Sequence, residues 1–277
     1  MKHLYLNLKR FDVPAEAGGV NRLAPTADWG AYIVRSTQDA LRCWQDDAEF
    51  VQFFPEAHIS GAVQALTENS PVQIGCQGVY RADVMPGGNF GAFTTNCPAA
   101  AAAALGCRAA LIGHCEERSD LQGVLAEAGA AETAAVNRIL NREILAAQAR
   151  GLNVLYCVGE TSEEQPRWQE VLCEQLTLGL AGADLRRVVI GYEPVWSIGP
   201  GKTPADKPYI TKIARFIKDM TGGADVVYGG GLKTDNAQML ASVEEIDGGL
   251  IALTRFSGEI GFYPDEYLEI IRTYLGK

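Results

Sequence analysis

The stretch NVLYCVGETSEEQPRWQEVLCEQLTLGLAGADLRRVVIGYEPVW, residues 153–196, holds one complete strand–helix–strand unit. Residues 153–158 are almost continuously apolar, the pattern of a strand buried on both faces. Residues 168–180 follow with apolar positions at helical spacing. Residues 188–192 are apolar again. Two such strands joined by a helix predict parallel pairing, because the chain must cross over before it can run the same way again. The alternation extends outward in both directions. Strand-like runs lie at 4–7, 49–54, 72–77 and 109–112, and beyond the central unit at 225–228 and 249–252. Helical patterns lie at 131–150, where Ala135, Ile139, Leu140, Ile144 and Leu145 share a face, and at 208–220, 235–242 and 264–275. The alanine-rich run 99–105 reads as a small-residue helix. Eight strands in 277 residues favour the α/β class with a single-domain, closed (β/α)8 barrel over an open doubly wound sheet. Two loops are long, 11–28 and 78–93, and loops of that length in a compact domain tend to serve function.

Composition narrows the setting. With 47% hydrophobic residues the chain can bury one large core. The formal net charge of -10 argues against general nucleic-acid or anionic-membrane binding. No run is long and apolar enough to span a membrane, and residues 1–10 lack the apolar core of a signal peptide. Seven cysteines, an odd number with no C-x-x-C pair, fit a reduced, cytoplasmic chain. No spacing suggests a metal site, and no organic cofactor is implied.

In a barrel of this kind the active site is built at the C-terminal ends of the strands. Asn7 and Lys9 follow the first strand. His114 follows the fourth, in IGHCE (112–116). Glu193 follows the sixth, in YEPVW (192–196). Tyr228, Gly229, Gly230 and Gly231 close the seventh. Singly these are ordinary: a solvated lysine, a structural histidine, a tight turn. Together they suit proton abstraction next to a carbonyl. A carboxylate takes the carbon-bound proton, while imidazole and ammonium polarise the carbonyl and hold the oxyanion. Residues 194–203, PVWSIGPGKT, have the form of a lid, with Pro194 and Trp196 at one end, Gly199 and Gly201 in the middle and Lys202 at the far end. A lid excludes water from an unstable intermediate. The late-strand lysine or metal cluster of a barrel aldolase is missing.

The segments Asn7-Leu8-Lys9, Gly91-Ala92-Phe93-Thr94, ALIGHCE (110–116), CVGE (157–160), GYEPVWSIG (191–199) with Gly201-Lys202, and Tyr228-Gly229-Gly230 stand in order from the first strand to the seventh. The chain thereby resembles the triosephosphate isomerase family, whose barrel is the TIM barrel. The resemblance implies a cofactor-independent intramolecular oxidoreductase of glycolysis and gluconeogenesis that isomerises a sugar phosphate through an enediolate. It gives Glu193 the role of base, His114 of neutral electrophile and Lys9 of electrostatic partner, a division established for triosephosphate isomerase and taken over with the resemblance. By the same token Asn7, Gly199, Gly230, Gly231 and Leu253 would meet substrate. Glu116, Glu160, Trp196 and Tyr228 would support the site and its lid.

The departures from the family pattern cluster. Its Gly-Gly pair after the eighth strand is replaced by Ala252-Leu253, followed by Thr254-Arg255. Its Tyr-Gly-Gly-Ser becomes Tyr228-Gly229-Gly230-Gly231. A Cβ restricts the backbone's approach to a ligand, so the grip on the phosphate end is altered while the catalytic set is kept. Arg255 is a candidate replacement charge. The alternatives are therefore an isomerase of a different short sugar, such as a tetrulose phosphate, or an inactive sensor barrel. The family's dimer ion pair is also changed, at Asn96 and Glu117, so a homodimer with different contacts is expected. Cys115 stands for the family's serine.

Overall fold

The structure, a computed structural model, describes residues 1–130, 132–198 and 202–277. Eight parallel strands close a barrel in sequence order: β1 (Lys2–Asn7), β2 (Ala48–Phe54), β3 (Val72–Cys76), β4 (Ala109–Ile112), β5 (Asn153–Val158), β6 (Val188–Tyr192), β7 (Val226–Tyr228) and β8 (Gly248–Ile251). Closure comes from β1 pairing with β8 through the register His3 to Gly248 and Leu6 to Ile251. Most strand residues are buried on both faces, which is why β4, β5 and β6 read as near-continuous apolar runs; β1, β2 and β3 carry polar residues such as His3, Glu49 and Gln73. Tyr5, Val51, Phe53, Leu111, Leu155 and Leu250 point into the barrel. Leu4, Leu6, Phe50, Ile112, Tyr156 and Ile190 point out toward the helices. A Cβ on Gly75 would collide with the Phe53 ring, so β3 gives up a side chain for the interior to accept a phenyl group.

The described helices are α1 (Trp29–Leu41), α2 (Glu56–Ala65), α3 (Ala99–Ala104), α4 (Cys115–Glu127), α5 (Thr133–Ala149), α6 (Trp168–Gly179), α7 (Lys207–Thr221), α8 (Thr234–Ala241) and α9 (Pro264–Leu275). The helix read from sequence at 131–150 begins at Thr133, and Ala131 lies outside the described residues. The last strand ends one residue early, which places Ala252 beyond β8. The helical patterns did not reveal α1, α2 and α4. In α4 no residue is buried, so there is no apolar stripe to read. None of the described helices is long and apolar enough to cross a membrane. Residues 11–28 form a folded loop with two 3-10 turns, Ala15–Ala17 and Thr26–Asp28. Its anchor is the buried Asp12, which accepts from Arg10 and faces His58 Nε2 at 3.1 Å.

At the N-terminal mouth of the barrel, away from the catalytic rim, His3 lies between two carboxylates. Its Nδ1 is 2.8 Å from Glu49 and its Nε2 is 2.9 Å from Asp225. Burial alone would lower its pKa, but the two carboxylates outweigh burial and raise it above 6.5. A raised histidine adds stability that is full below its unfolded pKa and is lost as pH rises through the folded one. Thermal unfolding of the wild type should therefore lose ground to His3→Gln as pH rises above about 6.5. Parallel curves for the two proteins would contradict this.

Candidate active site

Glu193 leaves the end of β6 and is 2% exposed. Its Oε2 accepts the Cys115 N–H at 2.9 Å. Its Oε1 stands 3.2 Å from His114 Nε2, out of hydrogen-bond alignment, and has no other partner. Burial raises the carboxyl's pKa above 4.5, against the opposing pull of His114, the Cys115 N–H and Lys9. A raised carboxyl is a better proton acceptor than a free one, and it is held ready by an unpaired oxygen. Two glycines make room for it. A Cβ on Gly159 would strike the Glu193 carbonyl oxygen, and one on Gly229 would lie 2.6 Å from Glu193 Cγ. These packing roles were not apparent from the sequence.

His114 is the N-cap of α4. Its Nδ1 accepts the Glu116 N–H at 3.3 Å. A nitrogen that accepts a backbone hydrogen carries none, so the neutral ring presents Nε2–H to the site. Gly113, with φ of 80°, makes the sharp turn from β4 into this cap. Lys9 also sits in a left-handed conformation, φ 40°, which a non-glycine residue adopts at a cost and keeps where its neighbours hold it. Here its N–H bonds Asn7 Oδ1 at 3.1 Å and its Nζ meets Glu116 Oε1 at 2.6 Å. Gln77 donates to Asn7 Oδ1, Lys9 O and Phe53 O at 3.1–3.3 Å. Gln77 is thus a support that the sequence reading missed, having placed it at the end of a strand. Asn7, Lys9, Gln77, His114 and Glu116 line one cavity of about 390 Å³ with Arg10 and Phe11 of the long first loop.

The root of the lid is bound to a single oxygen. Glu160, fully buried, accepts through Oε1 from Tyr192 Oη (3.0 Å), Trp196 Nε1 (2.8 Å) and Tyr209 Oη (2.9 Å). This ties β6, the 3-10 turn Val195–Ser197 and α7 together. Trp196 stacks edge-on against Tyr209 with ring centroids 5.4 Å apart. Tyr228 is buried, and the Ser197 hydroxyl beside it pulls its pKa down against the larger effect of burial, which raises it. Gly199, Pro200 and Gly201, the middle of the expected lid, lie outside the described residues.

On the distal side Arg255 makes the surface salt bridge that is the commoner role of such a residue. Its guanidinium pairs with Glu266 at 2.5 Å and stacks over Tyr263 at 3.8 Å, so it is engaged by α9. Residues 254–263 instead fold back as a hairpin, with Thr254 N and Arg255 N donating to Gly261 O. Leu253 is half-buried at the start of this hairpin. Gly230 and Gly231 follow β7, and a Cβ on Gly230 would collide with the Tyr228 hydroxyl.

The two changed interface positions part company. Asn96 is exposed on the loop after β3. Glu117 turns inward, accepts the Gly113 N–H at 2.5 Å and faces Glu143. Burial first, then the charge of Glu117, raise the Glu143 carboxyl, and burial raises Glu117 as well, so the facing pair keeps a proton between them above the usual carboxylate range.

One ligand atom each from His114, Cys115 and Glu193 lies within 4.8 Å of the others. The donor set fits proton transfer better than metal. The imidazole keeps its hydrogen on the nitrogen facing the site, and burial, then the Glu193 charge, push the Cys115 thiol up to about 12. A metal would have to displace both protons.

A family model described as triosephosphate isomerase matches residues 30–272. A triosephosphate isomerase of Rhodopirellula baltica is 33% identical over 239 residues, covering 81% of this chain and 86% of its own. One from Pelodictyon phaeoclathratiforme is 35% identical over 196 residues, covering 66% and 70%. Among solved structures, triosephosphate isomerase from Bartonella henselae superposes with a TM-score of 0.74 at 23% identity, with 99% of each chain covered; that likeness speaks for the fold alone.

Proposed function

This chain belongs to the triosephosphate isomerase family, and we propose that it interconverts dihydroxyacetone phosphate and glyceraldehyde 3-phosphate, or a close short-chain sugar phosphate. The observation that supports this most is the buried Glu193 carboxylate, with its unpaired Oε1 beside His114 Nε2–H on the rim that also bears Lys9. Glu193 removes the proton from the carbon next to the carbonyl. The electron pair moves onto the carbonyl oxygen, where Lys9 and His114 Nε2–H stabilise the enediolate. His114 passes a proton between the two oxygens, and Glu193 returns its proton to the neighbouring carbon. Asn7 positions Lys9, and Glu116 holds its ammonium until substrate arrives. Glu160, Trp196 and Tyr228 steady the lid, and Gly199 would offer it a backbone N–H to the substrate anion. Gly230, Gly231 and Leu253 border the distal group. No step calls for a metal or organic cofactor.

The first test is interconversion of the two triose phosphates by purified protein. Turnover above the rate without enzyme supports the reading. A folded protein inert toward them, but active on a tetrulose phosphate, favours the second reading, which the altered Gly231 and Ala252-Leu253 positions motivate. Inertness toward every short sugar phosphate would overturn both. We also infer a homodimer, because the lengthened loop after β3 exposes Phe90 (87%) and Met85 (66%), apolar surface suited to burial against a second copy, and a cytoplasmic location, because all seven cysteines are free thiols. A monomer in sedimentation would refute the dimer.

A further inference from the structure

The turn after β7 is bare at Gly231, where the family has a serine. That space is not vacant. A Cβ on Gly231 would lie 3.5 Å from Lys233 Cε, so the lysine's methylene chain folds over the position. The turn is held by Asn236, whose Oδ1 accepts Lys233 N–H at 2.8 Å and whose Nδ2 donates to Gly231 O at 2.9 Å. The Lys233 ammonium rests 4.1 Å from the Phe256 ring centroid, on the hairpin that follows Ala252-Leu253. Among the described residues it pairs with no carboxylate, whereas Arg255 nearby is paired with Glu266. The turn adjoins the catalytic base, since Gly229 packs against Glu193 Cγ. It also adjoins the exit of β8, since Leu232 N donates to Leu250 O at 3.1 Å.

We propose that Lys233 is the residue that binds the distal phosphate of the substrate, taking over from the hydroxyl and glycine backbone that this chain lacks. An unpaired ammonium on an aromatic face is a stored cation: the ring stabilises it without neutralising it, and a phosphate dianion competes for it with a stronger interaction. Phe256 supplies the resting place, and Gly231 leaves room for the side chain's methylenes. The ligand class is a phosphate monoester, and an uncharged sugar gains nothing from this residue.

Lys233→Met and Lys233→Arg are compared with the wild type in two measurements. The first, which rests on the isomerase reading, is turnover of triose phosphates. Lys233→Met should raise KM about 10- to 100-fold with kcat changed much less, and Lys233→Arg should recover most of the loss. The second is independent of catalysis: the thermal shift produced by inorganic phosphate, against sodium chloride at matched ionic strength. Wild type and Lys233→Arg should be stabilised, and Lys233→Met should lose that stabilisation. If the triose phosphates are not turned over at all, the isomerase reading in its narrow form fails and the phosphate shift alone decides on Lys233. An unchanged KM, an equal phosphate shift in wild type and Lys233→Met, or no shift in the wild type would overturn the proposal.

Discussion

Glu193→Gln should lower kcat for triose phosphate isomerisation by about 10²–10⁴-fold while leaving the protein folded. The amide preserves the shape of the side chain, and its carbonyl oxygen can still accept the Cys115 N–H that now reaches Oε2 at 2.9 Å. What it cannot do is take a proton from carbon. The substitution also relieves a cost. Burial raises the wild-type carboxyl's pKa above 4.5, so the native state binds its proton more tightly than the unfolded chain does. Stability from this group therefore falls as pH rises from about 4.5 through the folded pKa, and at neutral pH the buried charge is a net burden. The glutamine variant should thus unfold at the same temperature as the wild type or above it, and its stability should depend less on pH in that window. Lost activity together with unimpaired stability is the signature of a group kept for chemistry. Retention of more than about a tenth of wild-type turnover would remove Glu193 from the role of base. A marked drop in unfolding temperature would show it to be structural instead.

The barrel was legible because its central strands are buried on both faces and their sequences are correspondingly apolar. The 153–158 run coincides with β5, and the 188–192 run with β6. The three catalytic candidates were legible for a related reason: each is a polar residue one or two positions beyond a strand's end. Gln77 escaped notice because it follows β3 so closely that it reads as a sixth strand residue, and its task lies on β1 and β2, about 70 and 24 positions away in sequence. Lys9's left-handed backbone has no sequence signature, since a lysine there is sterically unexpected. A salt bridge was the commoner expectation for Arg255, but its partner, Glu266, was not foreseen, because it lies 11 residues on, across a hairpin whose fold-back the sequence does not announce. Lys233 was passed over for the converse reason. Its place over Gly231 depends on the side chain that Gly231 lacks, and its perch on Phe256 depends on the same hairpin. Local patterns record burial well, whereas contacts made by long polar side chains across loops are set only when the whole rim is assembled.

Glu160→Ala should be the most damaging single change at the lid, with a loss of roughly 3–5 kcal/mol in stability, or on the order of 10 °C in unfolding temperature. One carboxylate oxygen serves three donors, Tyr192 Oη, Trp196 Nε1 and Tyr209 Oη, at 2.8–3.0 Å. Removing it leaves donors in the interior without acceptors, each at about 1–3 kcal/mol, and opens a cavity besides. Water admitted to that cavity would recover part of the loss, which keeps the estimate below the full sum. Glu160→Gln separates charge from shape. Its carbonyl oxygen can occupy the Oε1 position and keep the donors satisfied, with the amide group at the Oε2 position, where the wild-type oxygen is buried and unpartnered. The glutamine variant should therefore lose much less stability than the alanine variant. Catalysis should follow the same order. With Trp196 released from β6 and α7, the segment that begins at Pro194 loses its fixed root, and kcat should fall about tenfold or more as closure over the enediolate becomes less faithful. Escape of the intermediate to a phosphate-eliminated by-product should rise in step, because an open site exposes it to water. If Glu160→Ala loosened neither stability nor turnover, the three donors would have found other partners, and the lid would have to be anchored elsewhere.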